Sequence, residues 1–309
     1  MPIYHLFLVL LVIFAWGFNF IFVKLGLTEI SPLLLCALRF LIACFPAILF
    51  IKPPAAPFRL VIYYGLLMFG LQFSLLFIGM KVGMTPGLTS ILMQMQVFFS
   101  ILIAVFFLGE LPTFWQIMGA LVSFSGIGLV ALHLDHQSAN LPGFLLIMAA
   151  GIAWGIGNVV TKKMGRINIM ALVVWGSLVA FFPLLIASLI FEGKANLIHT
   201  LHHITWVGAG SVLYIVYIST WVGYGLWNYL ISRHNVAIVA PFTLLVPVVA
   251  MLSSALICHE SLPAWKLLAA LLVMSGLSLN FLAPRLLTKR KSVKKEPQLD
   301  LASTTQTIQ

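Results

Sequence analysis

Charge is what this sequence has least of. Only 8% of its 309 residues are Asp, Glu, Lys or Arg, and just seven are acidic. A soluble domain carries about 25% charged residues, so a water-facing surface wrapped around one core is excluded. Cysteine is scarcer still: Cys36 and Cys44 share one apolar run and Cys258 ends another, which excludes a disulfide framework. The acidic residues (Glu29, Glu110, Asp135, Glu192, Glu260, Glu296, Asp300) all fall outside the middles of the apolar runs, and the His residues lie in loops or at run ends. Carboxylate proton relays and metal-assisted chemistry are therefore not expected, nor is a metal or a cofactor. The cluster His199 to His203 reads as a solvated loop. The N-terminus has neither a basic leader nor a small-residue cleavage site, so it reads as a retained span.

What fills the chain is hydrocarbon: 62% of residues are hydrophobic. About 20 apolar residues cross a bilayer core of about 30 Å as a helix, and ten such runs can be read. They cover Tyr4 to Val23, Pro32 to Ile51, Leu60 to Met80, Thr85 to Leu108, Thr113 to Leu132, Pro142 to Thr161, Ile169 to Phe191, Trp206 to Leu230, Val236 to Ile257 and Ala264 to Ala283. The expected fold is an all-α integral membrane protein of ten transmembrane helices, spans 1 to 10. Cytoplasmic loops accumulate Lys and Arg. With the N-terminus inside, Lys52, Arg59, Lys162, Lys163, Arg166, Arg233 and the basic tail from Arg285 to Lys295 share the cytoplasmic side. Lys24, Lys81, Lys194 and Lys266 face outward, and both termini are cytoplasmic. The net charge of +10 is thus concentrated in a flank suited to anionic lipid, with no dispersed patch for nucleic acid.

The chain repeats itself. FAWGFNFIFVK (Phe14 to Lys24) returns as IAWGIGNVVTK (Ile152 to Lys162), and Glu110, Trp115 and Gly126 align with Glu260, Trp265 and Gly276. Residues 1–137 form a first five-helix repeat, 138–284 a second, and 285–309 a basic tail expected to be disordered. Five crossings invert the second copy. Two inverted five-helix repeats are an architecture of alternating-access carriers, with a binding site near the midplane.

Polar groups in mid-span are costly, about 2.5–3.5 kcal/mol for a charge on insertion scales. Trp16 and Asn19 share one face of span 1, and Trp154 and Asn158 one face of span 6. They line a substrate path or glue helices together. Gln94 and Gln96 in span 4 point in different directions, so at most one faces a cavity; Gln94 is taken with Gln72 of span 3. Arg39 in span 2 snorkels, bonds backbone carbonyls or holds a substrate carboxylate. Tyr214 and Trp175 supply amphipathic aromatics, while Tyr224 and Trp227 read equally as interfacial belt anchors. Pro241 and Pro247 mark span 9 as a gate or hinge, or as a static kink.

WGFNF in span 1, ALRFLIA in span 2, LGELP after span 4 and the two five-span halves resemble the EamA-type transporters of the drug/metabolite transporter superfamily, up to Pro284. The resemblance implies a bacterial inner-membrane carrier that exports a small metabolite such as O-acetylserine, cysteine or another amino acid. A broader drug or aromatic-metabolite exporter of the same fold is the alternative. It also implies a central cavity lined by spans 1, 3, 4, 6, 8 and 9, which accommodates Trp16, Asn19, Gln72, Gln94, Trp154, Asn158 and Tyr214. Two departures stand out. Span 9 ends in Cys-His-Glu where span 4 ends in Gly-Glu, and Asn158 is one place away from the repeat position of Asn19. The expected partners are a small amino-acid-like substrate and lipid; the sequence does not fix the oligomeric state.

Overall fold

The computed structural model describes residues 1–134, 139–234 and 236–293, without the side chains of 236–237 and 282–293. Ten helices among them are long and apolar enough to cross a membrane: Ile3–Glu29, Pro32–Leu49, Phe58–Lys81, Pro86–Leu108, Phe114–Leu132, Leu141–Met164, Ile169–Phe191, Trp206–Arg233, Ala240–Ile257 and Ala264–Phe281. These are spans 1 to 10 below. Most are apolar around their whole circumference, as befits helices that meet lipid on one side and neighbours on the other. The boundary expected between 137 and 138 lies outside the described residues. The last helix continues in backbone to Val293, into the segment from 285 that reads as disordered; residues 294–309 lie outside the description.

The helix ends obey local chemistry. Thr113 opens span 5 with a capping box closed by Gln116, Asn140 and Asn168 accept from the first turns of spans 6 and 7, and Pro86 sits in the first turn of span 4. Gly109 ends span 4 at φ 67°, and His259 adopts φ 51° at the matching place after span 9. The Cys-His-Glu departure thus keeps the left-handed exit without glycine. The His cluster lies on a short helix, Lys194–His203, rather than an irregular loop.

Spans 5 and 10 cross where side chains are smallest. A Cβ on Gly119 would meet the Gly276 carbonyl, and one on Gly126 would meet the Ala269 carbonyl at 2.9 Å. Contacts at 119 with 276 and at 126 with 269 run in opposite directions, so the two spans are antiparallel. Between them the Ser123 hydroxyl donates to the Val273 carbonyl at 3.1 Å, a pair separated by the same interval of 150 residues as Glu110 and Glu260. The remaining packing interleaves the halves: span 1 lies on spans 8 and 9, span 6 on spans 3 and 4, and span 2 on span 7. Exchanging the halves maps this set of pairings onto itself: 1 with 8 becomes 6 with 3, 1 with 9 becomes 6 with 4, and 2 with 7 is unchanged.

Four spans depart from regular α-helix in mid-membrane. Span 3 has a π-helical stretch at Gly65–Leu71 and span 8 at Tyr214–Val222. Span 4 is interrupted between Pro86–Met93 and Gln96–Leu108, and span 9 opens with a 3₁₀ stretch at Ala240–Leu244. Pro241 belongs to that stretch. Pro247 stands in the first turn of the helix Leu245–Ile257, where a missing N–H disrupts little. Span 4 breaks with no proline at the break, so the halves match here more closely than their prolines suggest.

Candidate functional site

The loops and helix ends sort into two faces, one carrying Glu29, Glu192 and Glu260, the other carrying Glu110. On the first face each carboxylate accepts from the start of a helix in the opposite half. The Leu33 and Leu34 N–H groups donate to Glu192 at 2.7 and 3.0 Å, with the Ser31 hydroxyl at 2.6 Å. Thr205 donates its N–H and hydroxyl to Glu29 at 3.0 and 2.6 Å. The Gly87 N–H and the Thr85 hydroxyl donate to Glu260 at 3.0 and 2.5 Å. Span 7 is thereby tied to span 2, span 1 to span 8, and span 9 to span 4. A carboxylate at a helix N-terminus stabilises by about 0.3–2 kcal/mol. Three together amount to a few kcal/mol, the scale that separates two conformations of one protein.

Glu260 has a nearly fully buried side chain. It also receives the Ser254 hydroxyl and pairs at 3.1 Å with Lys266, the two side chains being 2% and 1% exposed. Glu110, its repeat counterpart, pairs with Lys162 on the opposite face at 2.5 Å, but there the side chains are 47% and 58% exposed. A solvent-screened pair of that kind contributes about 0–1 kcal/mol. The face with the three carboxylate caps is the bolted face below; on the other the halves meet through this exposed pair, through His234 and His5 at 2.7 Å, and through the Trp175 indole N–H, which donates to the Ile51 carbonyl at 3.0 Å.

A space of about 510 Å³ lined by Phe22, Trp206, Ser211, Tyr214 and Tyr217 lies between spans 1 and 8 toward the bolted face, and two more open on the Glu110 face. A space of about 430 Å³ is lined by Ser100, Glu110, Gln116, Asn158 and Lys162 among others. A contiguous space of about 490 Å³ shares Ser100, Gln116 and Asn158 and adds Gln96 and Asn280. The Asn158 amide nitrogen donates to the Gln96 carbonyl at 2.8 Å and to the Ser100 hydroxyl at 3.0 Å. Its own side-chain carbonyl oxygen accepts no hydrogen bond among the described residues.

The other sequence-predicted residues divide into three groups. Trp16 donates its indole N–H to the Ser219 carbonyl at 3.1 Å, and Tyr214 its hydroxyl to the Ala15 carbonyl at 3.3 Å, so both join span 1 to span 8. Tyr224 and Trp227 surround Trp16 with ring centroids 5.7 and 5.5 Å away, which removes them from the belt-anchor reading. Asn19, Arg39 and Gln72 are buried, each with polar atoms lacking a partner. Gln94 donates to the Thr243 carbonyl at 3.5 Å, joining the break in span 4 to the 3₁₀ stretch of span 9, and does not line either cavity. Trp154 packs half-buried against the core. Gln96, Ser100, Gln116 and Asn280 are the cavity residues that sequence reasoning missed. The spacing of Gln96 and Ser100, one helical turn apart, was the available signal.

The model of the EamA-like transporter family matches residues 3–132 and again 141–282. The chain belongs to this family. Its relatives include proteins named as probable amino-acid metabolite efflux pumps in Escherichia coli (strain K12) and Salmonella typhimurium. The first is 40% identical over 93% of this chain and 97% of the relative, the second 38% over 89% and 93%. A solved crystal structure with 17% identity superposes with a TM-score of 0.58 over 92% of this chain and 99% of that one, which shows a shared fold. As an EamA-like transporter, the protein is a multi-pass membrane transporter. The space beside Asn158 offers such a carrier hydrogen-bonding side chains, with the charged pair Glu110 and Lys162 at its edge.

Proposed function

We propose that this EamA-like protein exports amino-acid metabolites, O-acetylserine and cysteine among them, across the bacterial inner membrane by alternating access between two inverted halves. The observation that carries the proposal is the asymmetry of the two faces: three inter-half carboxylate caps on one, the Asn158 cavity on the other. Inversion is supported by the antiparallel crossing of spans 5 and 10 and by the exchange symmetry of the helix pairings. Lys162, Lys163, Arg166 and Arg233 cluster at helix ends on the Glu110 face, which supports a cytoplasmic assignment for that face and for both termini. The described conformation is then inward-facing. Substrate enters beside Asn158, Gln96 and Ser100. Trp16, Asn19, Arg39, Gln72, Gln94, Trp154 and Tyr214 line its passage toward the far side, and the break containing Pro241 serves as the hinge of span 9. No bond is made or broken in this cycle.

The test is uptake of a labelled panel into proteoliposomes of the purified protein. Accumulation of O-acetylserine and cysteine well above empty vesicles is expected. A second reading, a broader exporter of aromatic metabolites, is favoured by the Trp16–Tyr224–Trp227 cluster, and the same panel decides between them: transport of bulky aromatics with no amino-acid transport would overturn the first reading.

A further inference from the structure

Arg39 is a buried cation without an anion. Its side chain is 3% exposed, its guanidinium carbon lies 3.9 Å from the centroid of the Phe73 ring, and its one polar partner is the Thr220 hydroxyl at 3.2 Å. Nε and Nη1 have no partner. The nearby carboxylate on this side of the molecule, Glu192, is already committed to Ser31, Leu33, Leu34 and Ser188. An unpaired charge in such surroundings costs several kcal/mol, and neither the rings nor one hydroxyl replace a counter-ion.

The guanidinium has two edges, each with two parallel N–H groups, and Nη2 contributes one hydrogen to each. Thr220 can occupy only one of those hydrogens. Whichever it takes, one complete two-donor edge stays free, the geometry that receives a carboxylate through two bonds.

Two other buried side chains on neighbouring spans carry orphaned amide atoms. Gln72 is 0% exposed with neither amide atom bonded, and the Asn19 carbonyl oxygen is buried and unpartnered. Counted from the helix ends on the bolted face, at about 1.5 Å per residue, Arg39 lies about 10 Å deep, Gln72 about 14 Å and Asn19 about 15 Å. They stand on spans 2, 3 and 1, which pack against one another. The three unpartnered groups thus lie at similar depths on spans that touch, away from the spaces described above.

We infer that this level is the recognition site for a zwitterion: Arg39 receives the α-carboxylate of the substrate and the amide oxygens of Asn19 and Gln72 receive its ammonium group. The assignment rests on the proposed export of amino-acid metabolites and deepens it. It makes free acids substrates and their amides poor ones. It also places recognition beyond the open cavity, near the bolted face, so that the substrate becomes enclosed only after passing Asn158.

The test compares L-cysteine with L-cysteinamide, and L-serine with L-serinamide, as competitors of labelled uptake and as ligands in thermal unfolding of the detergent-purified protein. The wild type is expected to favour acid over amide by roughly 30-fold or more, the scale of leaving a buried charge unpaired. In Arg39→Gln the ratio is expected to fall to near one while amide binding persists. Arg39→Lys, which keeps the charge and loses the fork, is expected to lie between. A wild type that takes acid and amide equally, or an Arg39→Gln or Arg39→Lys protein that keeps the wild-type ratio, overturns the assignment while export itself stands. A wild type that binds none of the four compounds overturns both readings together.

Discussion

Glu260→Ala is expected to destabilise the protein by about 3–5 kcal/mol, the cost of stranding one partner of a buried ion pair. Lys266 would keep its charge at 1% exposure with the Ser261 carbonyl at 3.0 Å as its only remaining hydrogen-bond partner. The first turn of span 4 would at the same time lose the acceptor of the Gly87 N–H and the Thr85 hydroxyl. Thermal unfolding of the purified protein in detergent measures the loss. Removing both charges separates the two contributions. In Glu260→Leu with Lys266→Met the stranded ammonium is gone, so most of the stability should return. The cap does not return, so the bolted face should remain weakened. A double variant as unstable as Glu260→Ala would show that the hydrogen bonds to span 4, rather than the ion pair, hold this end of the molecule.

Asn158→Leu is expected to reduce transport by about 10- to 150-fold, the range for losing one hydrogen bond of about 1.5–3 kcal/mol to a charged group. Stability should change little. Gln96 and Ser100 line the same cavity, so water can replace the donor that the substitution removes. The contrast between a large transport effect and a small unfolding effect is the diagnostic. A scaffold residue would move both together. Equal amounts of wild type and variant in proteoliposomes, assayed for initial rate and for thermal unfolding, give the two readings.

Much of the fold is legible in the sequence because membrane helices are set by length and hydropathy. All ten runs became spans, with ends shifted by a turn or less in most, and span 1 extended from Val23 to Glu29. Gly109 and His259 both leave their helices at positive φ, one residue before Glu110 and Glu260, as the alignment of the two segments leads one to expect. The site was less legible. Reading Gln94 and Gln96 as two residues apart on one continuous helix assumes a regular span 4. The interruption at 94–95 resets the rotation, and Gln96 rather than Gln94 meets Asn158. The π-helical stretches in spans 3 and 8, GLLMFGL with two glycines and YIVYISTWV rich in β-branched residues, are weak helix formers, but neither pattern specifies a π register. Glu29, Glu192 and Glu260 read as loop charges because the helix starts they cap lie at least 158 residues away for Glu29 and Glu192, and 173 residues away at Gly87 for Glu260. Capping by a distant half of the chain is a tertiary fact that no window of sequence contains.

Access to each side can be measured directly with single cysteines in a background where Cys36, Cys44 and Cys258 are replaced. Ser100→Cys reports the cavity on the Glu110 face, and Thr89→Cys reports span 4 just beneath the bolted face, where Thr89 is fully buried. A membrane-impermeant maleimide added to each side in turn should label Ser100→Cys from the Glu110 side and leave Thr89→Cys unlabelled. Adding Glu29→Gln, Glu192→Gln and Glu260→Gln should make Thr89→Cys reactive from the opposite side and slow the labelling of Ser100→Cys. Thr89→Cys labelled as fast as Ser100→Cys with all three carboxylates intact, or a pattern unmoved by their loss, would contradict alternation between a bolted and an open face.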